Sequence, residues 1–423
     1  VTAVPTNHPA LREDNIAFLP GAGRGPGLGM IALGALFMLG VLGAGLAGAM
    51  PLRHAMAAYQ VGTMAILAIC LGATFFVMVF HLLNAGWSSS VRRQFENVMA
   101  LTPLVGLLLA PTLLLEIMKG GVNFLWLNEA HSHDYLLQKK AIYFFGGKDT
   151  HALPVFFILR TVFYVGFWAF LTRRLLGLSV EQDKTGSREA SARARFLCAW
   201  TMPLFALSIA FVAFDYLMSL DYKFYSTMWG VAYFAGAAFT SSAVVAMILA
   251  RLHLMGKLSG VVTKEHFHDM GKLMFSFTVF WAYITFCQYF LIWYSNIPEE
   301  TSYYLARTRE GSAWRPLGIV LMVGHFALPF LILLFRSVKK NPHLLTLIGL
   351  WAVAMHVADI FFLVRPMTYS ATGSVGPLWI DALAIGGALA LFTGGVIVQV
   401  GSRMLVAKHD PWIHEGLEHR NYV

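Results

Sequence analysis

The 423-residue chain is 57% hydrophobic and 14% aromatic, with 13% charged residues. Its mean hydropathy of +0.63 lies outside the range of soluble domains and inside that of polytopic membrane proteins. The net charge of +9 comes from Lys and Arg scattered through short loops, not from a basic stripe with stacking aromatics, which argues against a nucleic-acid surface and for membrane topology.

The polar opening VTAVPTNHPALREDN has no basic stretch leading into an apolar core, so no removable signal peptide is expected. Hydropathy predicts about ten spans, near 29–50, 58–84, 95–118, 153–176, 197–220, 227–252, 270–295, 315–336, 345–366 and 378–403. The expectation is an all-α integral membrane protein: an N-terminal segment 1–28, one transmembrane domain 29–403 and a tail 404–423. Of the Lys and Arg residues, 20 fall on one side and 10 on the other, with Arg160 inside a span. The positive-inside rule then places both termini in the cytoplasm. The cysteines, Cys70, Cys198 and Cys287, sit on three different spans without CxxC or CxxCH spacing, so no disulfide framework, iron–sulfur cluster or covalent haem is encoded.

The first span carries Gly40, Ala44 and Gly48 in a small-xxx-small pattern, a signal for close helix contact. In the third, Pro103 and Pro111 take the amide partners from the carbonyls of Met99 and Leu107, and Glu116 ends the span near the outer face. Freed carbonyls beside a carboxylate suit water or a polar ligand. The outer connection from Lys119 to Leu153 mixes aromatics with charge, as a segment lying along the headgroups does. It contains HSHD (131–134), and the inner loop before span seven contains HFHD (266–269); each alone is an incomplete zinc site, and the topology separates them. The inner loop near 177–196 is polar and rich in small residues and reads as a flexible hinge.

Span five holds Asp215 in its outer part, and span nine, running in the same direction, holds Asp359 at a comparable depth. An offset of four helices suggests two similarly oriented four-helix bundles, helices 2–5 and 6–9, flanked by helices 1 and 10. In span eight His325 lies near mid-membrane, and Pro329 four residues on leaves its carbonyl without a helical amide. Span nine, LTLIGLWAVAMHVADIFFLVRP, carries His356, Asp359 and Arg365. An Asp at mid-helix costs about 2.5–3.5 kcal/mol on insertion scales, so partners are expected from other helices. His356 and Asp359 are i,i+3 neighbours, so both can face a bundle interior, as functional groups or as a structural polar clamp.

No adjacent histidine pair for copper, no phosphate loop and no nucleophile with its base is present; a haem between His325 and His356 is the one metal-redox alternative. What remains is a row of proton-exchanging and hydrogen-bonding groups at several depths, including His81, Lys272, Asp215, Gln288, His325, His356, Asp359 and Asp381. Proton relays and quinone headgroup sites use such groups. In span seven, Gln288, Tyr289 and Tyr294 near the outer face are candidate hydrogen-bond partners for a quinone, with Glu116 a further one.

The run HFHDMGKLMFSFTVFWAYITFCQYFLIWYSNIPEETSYY (266–304) resembles the ActF-type membrane subunit (quinone-binding subunit 2) of bacterial alternative complex III, as does FDYLMSLDYKFYSTMWGVAYFAGAAF (214–239). The resemblance extends over nearly the whole chain, and more distantly to NrfD and polysulfide reductase membrane subunits, whose four-helix bundles bind quinol. It implies an integral subunit of a quinol:electron acceptor oxidoreductase in the bacterial inner membrane, without a redox centre of its own. Haems and iron–sulfur clusters belong to partner subunits, and a sister ten-helix subunit houses quinol more clearly. This chain is then expected to contribute a proton path, assigned to Asp215, His325, His356, Asp359 and Arg365, and a contact to quinone or menaquinone. The rival readings are a stand-alone secondary transporter and a purely structural anchor.

The topology is testable. In a cysteine-free variant, a single cysteine at Ser187 is expected to resist a membrane-impermeant thiol reagent in intact cells; labelling that lysis does not increase would reverse the orientation.

Overall fold

The computed structural model describes residues 8–369 and 377–421, so residues 1–7 of the expected N-terminal segment and 422–423 of the tail lie outside it. Among the described residues there is no strand, and ten helices are long and apolar enough to cross a membrane. They are α1 (Arg24–Leu46), α2 (Leu52–Leu82), α3 (Arg92–Met118), α4 (Val155–Thr185), α5 (Arg188–Tyr216), α6 (Trp229–Leu254), α7 (Lys264–Ser295), α8 (Arg315–Leu334), α9 (Pro342–Tyr369) and α10 (Leu378–Gly401). Each overlaps its predicted span. The chain is a multi-pass membrane protein.

The helices close two rings. In one, α2 packs on α3, α3 on α4, α4 on α5 and α5 back on α2; in the other, α6 packs on α7, α7 on α8, α8 on α9 and α9 on α6. The rings meet where α2 lies against α6 and α9, and α5 against α6. In the most apolar stretch of α2, 89% is buried, and 72% in α6, against 28% in α1, α7 and α8, so α2 and α6 form the centre and the others face lipid. Helices α1 and α10 pair with each other beside α2.

Glycines set the closest approaches. A Cβ on Gly72 would stand 2.2 Å from the Ala237 carbonyl, so the central α2–α6 contact is backbone against backbone. Between α1 and α10 the same holds at Gly34 and Gly394, whose Cβ atoms would stand 2.4 Å from the Gly387 carbonyl and 2.5 Å from the Gly27 carbonyl. The predicted pattern of Gly40 and Gly48 faces open space instead, because the paired face of α1 is the one carrying Gly27 and Gly34.

Helix boundaries follow local chemistry. Asn296, with φ of 50°, ends α7, and Pro298 opens the short helix Pro298–Thr308. The expected hinge at 177–196 is a correction: α4 runs to Thr185, Gly186 turns with φ of 65°, and the Ser187 hydroxyl accepts the Glu189 amide at 3.2 Å to start α5. Polar side chains here bind across the turn, Gln182 to Ser191 at 2.6 Å and Arg193 to Glu181 at 2.5 Å, which closes the two helices together. On the side opposite the chain termini, the connection after α3 folds over its bundle: Phe124 and Trp126 are buried with Phe144 of helix Tyr135–Phe145, against Phe157 of α4.

Gly72→Val is expected to lower stability by about 1–3 kcal/mol, since backbone cannot retreat as a side chain can. Gly40→Val, with nothing within 4 Å, serves as the control. Thermal unfolding in detergent distinguishes them; equal melting would mean that the α2–α6 seam tolerates a side chain.

Candidate functional site

In the α6–α9 bundle, sequence chemistry opens α8 at mid-membrane. Pro329 cannot donate to the His325 carbonyl, and residues Met322–Ala327 widen into a π-helical turn. The freed groups find side chains: Thr278 Oγ1 of α7 donates to the His325 carbonyl at 2.8 Å, and Trp351 Nε1 of α9 to the Gly324 carbonyl at 2.7 Å. The His325 ring stacks on Trp281 with centroids 3.9 Å apart, and the same indole donates through Nε1 to Asp359 Oδ2 at 3.1 Å. One tryptophan therefore links the histidine of α8 to the carboxyl of α9.

His325 and His356 are buried and within electrostatic reach of each other. Both nitrogens of both rings lack a hydrogen-bond partner among the described residues. The Ala65 carbonyl of α2 lies beside His356 without reaching hydrogen-bonding geometry. Gly236 of α6 lies against the same ring; a Cβ there would stand 3.4 Å from His356 Nδ1. Asp359 lies among the helices and retains some accessible surface. Buried polar atoms are nearly always bonded, so four orphaned ring nitrogens beside a singly bonded carboxyl are suited to water or a polar ligand that exchanges protons.

The end of this site away from the chain termini joins the predicted Gln288 and Tyr289 to Tyr303, Tyr304 and Arg307, of which sequence reasoning counted Arg307 only as a topology residue. Arg307, on the short helix Pro298–Thr308, is buried and donates through Nε to the Phe362 carbonyl at 3.2 Å, through Nη2 to the Leu363 carbonyl at 3.0 Å and through Nη1 to the Tyr303 carbonyl at 2.8 Å. Its guanidinium also lies 3.5 Å from the Tyr303 ring centroid. Phe362 and Leu363 are one turn beyond Asp359, and Pro366 leaves the Phe362 carbonyl without a helical amide, so the cation satisfies carbonyls inside α9 on the side of Asp359 away from the chain termini. The i,i+4 spacing of Tyr303 and Arg307 was the one local signal. Gln288 Nε2 donates to the Tyr304 hydroxyl at 3.2 Å, and Tyr289 meets the Tyr304 ring edge-on at 5.2 Å. Burial pushes the Tyr304 phenol up to about 12, which keeps it a neutral donor. Tyr294, 77% exposed, points outward, away from this group.

The other predicted residues lie elsewhere. Asp215 sits in the α2–α5 bundle and is saturated: Arg160 grips both oxygens at 2.9 and 2.8 Å, Tyr143 donates at 2.9 Å and Tyr164 at 2.7 Å. Arg160 is thus the counterion that a charge inside a span requires. Arg365 pairs with Asp381 of α10 and donates to the His54 carbonyl at 3.3 Å, tying together the ends of α2, α9 and α10 that lie away from the chain termini. Glu116 accepts the backbone amides of Val122, Asn123 and Phe124 at 2.7, 3.0 and 3.2 Å, and so anchors the chain reversal after α3. The structure brings together His325, His356 and Asp359; it does not bring Asp215, Arg365 or Glu116 to them.

At the end of the molecule where the termini meet, a second polar group is buried. Glu96 bonds Arg92 at 3.1 Å, Arg93 at 3.3 Å and the Ser179 hydroxyl at 2.7 Å; Arg93 also holds Asp183 at 2.7 Å, and Arg92 holds Asp410 of the tail. The R-R-x-x-E spacing was its sequence signal, read only as topology. The two histidine motifs are structural: Asp134 of HSHD caps helix Tyr135–Phe145 and accepts the Tyr222 hydroxyl at 2.9 Å. His266 of HFHD accepts the Thr263 amide at 3.1 Å to start α7. Among the described residues no group of His, Cys, Asp and Glu is arranged to hold a metal. Compared with known proteins, the chain matches no family model and no curated protein.

Breaking a buried pair leaves a bare charge, so Arg160→Leu is expected to lower stability by about 3–5 kcal/mol. The double variant Arg160→Leu/Asp215→Leu is expected to melt above the single one, read by thermal unfolding in detergent. The reverse order would mean that the pair is solvated.

Proposed function

We propose that the chain is the ActF-type membrane subunit of a bacterial quinol:electron acceptor oxidoreductase, alternative complex III, and that its α6–α9 bundle contributes a proton path. The observation that carries this reading is the meeting of His325, His356 and Asp359 at mid-membrane, with their orphaned ring nitrogens. Imidazole and carboxyl groups at such depth suit proton exchange with water or quinol. The likeness of 214–239 and 266–304 to that family, together with two bundles of the same order, supports the assignment. On this reading the electrons travel through haems and iron–sulfur clusters of partner subunits, and both termini face the cytoplasm, the side with more Lys and Arg.

Within the path, Asp359, His356 and His325 exchange protons, and Arg307 with Tyr303 limits access from the outer side. Asp215 and Arg365 act as fixed ion pairs beside it, holding the helices in place. For quinone contact, Gln288 and Tyr289 are the supported residues: the Gln288 Oε1 is buried without a hydrogen-bond partner, and Tyr289 shares Tyr304 with it. Glu116 is committed to backbone amides, and Tyr294 to the lipid-facing surface.

The test uses the assembled complex in proteoliposomes, with subunit content checked. Asp359→Asn keeps shape and much hydrogen bonding but removes the titratable proton, and His356→Phe removes an exchanging ring. Both variants are expected to oxidise quinol while protons moved per electron fall several-fold. An unchanged proton-to-electron ratio in both would return these residues to a structural clamp.

A further inference from the structure

At the basic end of the molecule, a cavity of about 620 Å³ opens between α5, the end of α2 and the tail. Its walls include Arg188, Arg195, Phe196 and Ala199 of α5, Leu82 of α2 and Trp412 of the tail. On α5 these residues recur at intervals of three, four and seven, so they form one helix face, and that face is exposed.

Depth follows from length. The 29 residues of α5 span about 43 Å at 1.5 Å per residue, more than the roughly 30 Å of a hydrocarbon core. The first two turns, from Arg188 to Arg195, therefore lie at headgroup level on the basic side. Phe196, 73% exposed, and Ala199 begin the acyl region below them. Trp412 has the amphipathic ring common at that boundary.

The charge of this groove is uncompensated. Neither Arg188 nor Arg195 forms an ion pair among the described residues, while neighbouring acids are engaged elsewhere: Glu181 with Arg193, Asp183 with Arg93 and Asp410 with Arg92. Glu189, next in sequence to Arg188, projects about 100° around the helix. Two free guanidiniums above an apolar wall, at headgroup depth, match a phosphate with acyl chains beneath it.

We propose that this groove is a binding site for an anionic phospholipid of the leaflet on the basic side, with its phosphate on Arg188 and Arg195 and an acyl chain along Phe196 and Ala199. The lipid would bridge α5 to the tail through Trp412, beside the Arg92–Asp410 pair that holds the tail down.

The purified, delipidated protein is titrated in detergent with phosphatidylglycerol or phosphatidylcholine and read by native mass spectrometry. Phosphatidylglycerol is expected to bind well above phosphatidylcholine. Near-surface Lys and Arg each contribute about a fivefold gain in affinity, so Arg188→Gln/Arg195→Gln is expected to weaken phosphatidylglycerol binding on the order of thirtyfold. Lys119→Gln/Lys148→Gln, at the opposite end, is expected to leave it unchanged. Helicity and elution volume check folding; should the double variant misfold, Arg195→Gln alone carries the test with about a fivefold loss. Equal binding of phosphatidylcholine, unaltered retention by the folded Arg variant, or full displacement by millimolar inorganic phosphate would overturn the proposal, the last marking a free-anion site.

Discussion

A carboxylate carried into hydrocarbon must be met by donors from its own chain, and this demand decides much of how the ten helices are arranged. Asp215 is met by Arg160, Tyr143 and Tyr164; Glu116 by three backbone amides; Asp381 by Arg365; Glu96 by two arginines and a serine. Asp215 and Glu96 tie together helices distant in sequence and Asp381 joins consecutive helices, so these acids serve as fasteners between helices, while Glu116 fastens the chain reversal after its own helix. A desolvated pair of this kind adds little net stability over a well-packed apolar contact, but losing one partner is severe. Asp359 departs from the pattern, with one hydrogen bond from Trp281 among the described residues.

The backbone obeys the same demand. Where Pro103 removes an amide, the exposed Met99 carbonyl is met from a side chain, Thr102 Oγ1 at 2.7 Å, and at the second break of α3 Tyr59 donates to the Leu108 carbonyl at 2.9 Å. In α8 Thr278 does so for His325. With these repairs, irregular helix is tolerated at depth because its freed backbone groups are bonded within the protein. The glycine seam at Gly72 then lets α2 and α6 approach closely enough for the two rings to share one core.

Local rules made the ten spans legible, since length and hydropathy act over a single window, and the four-residue reach of a proline located the freed carbonyls. The offset between Asp215 and Asp359 also carried the order of the two bundles. Partners joined by tertiary packing were not legible. Arg160 lies on a neighbouring span 55 residues from Asp215, and Tyr143 reaches the same carboxyl from a short connecting helix that composition marked only as interfacial. Arg307 and the Arg92–Glu96 cluster were read as topology charges because a loop arginine folded inward has the same sequence appearance as one left in water. The hinge at 177–196 misled for a related reason: polar, small residues mark a linker when unpaired, yet here Gln182, Glu181 and Arg193 bond across a two-residue turn.

Stability alone does not account for His325 and His356. A buried donor or acceptor left without a partner costs about 1–3 kcal/mol, and apolar side chains of similar size would fill the same volume without that loss. The chain instead keeps both imidazoles, sets a glycine of α6 beside one of them and stacks the other on the indole that binds Asp359. The first bundle shows that this fold can saturate an acid at the comparable position with an arginine and two tyrosines. The second bundle therefore holds its polar groups below full satisfaction where full satisfaction was attainable, and positions that break a local rule in this way are where function concentrates.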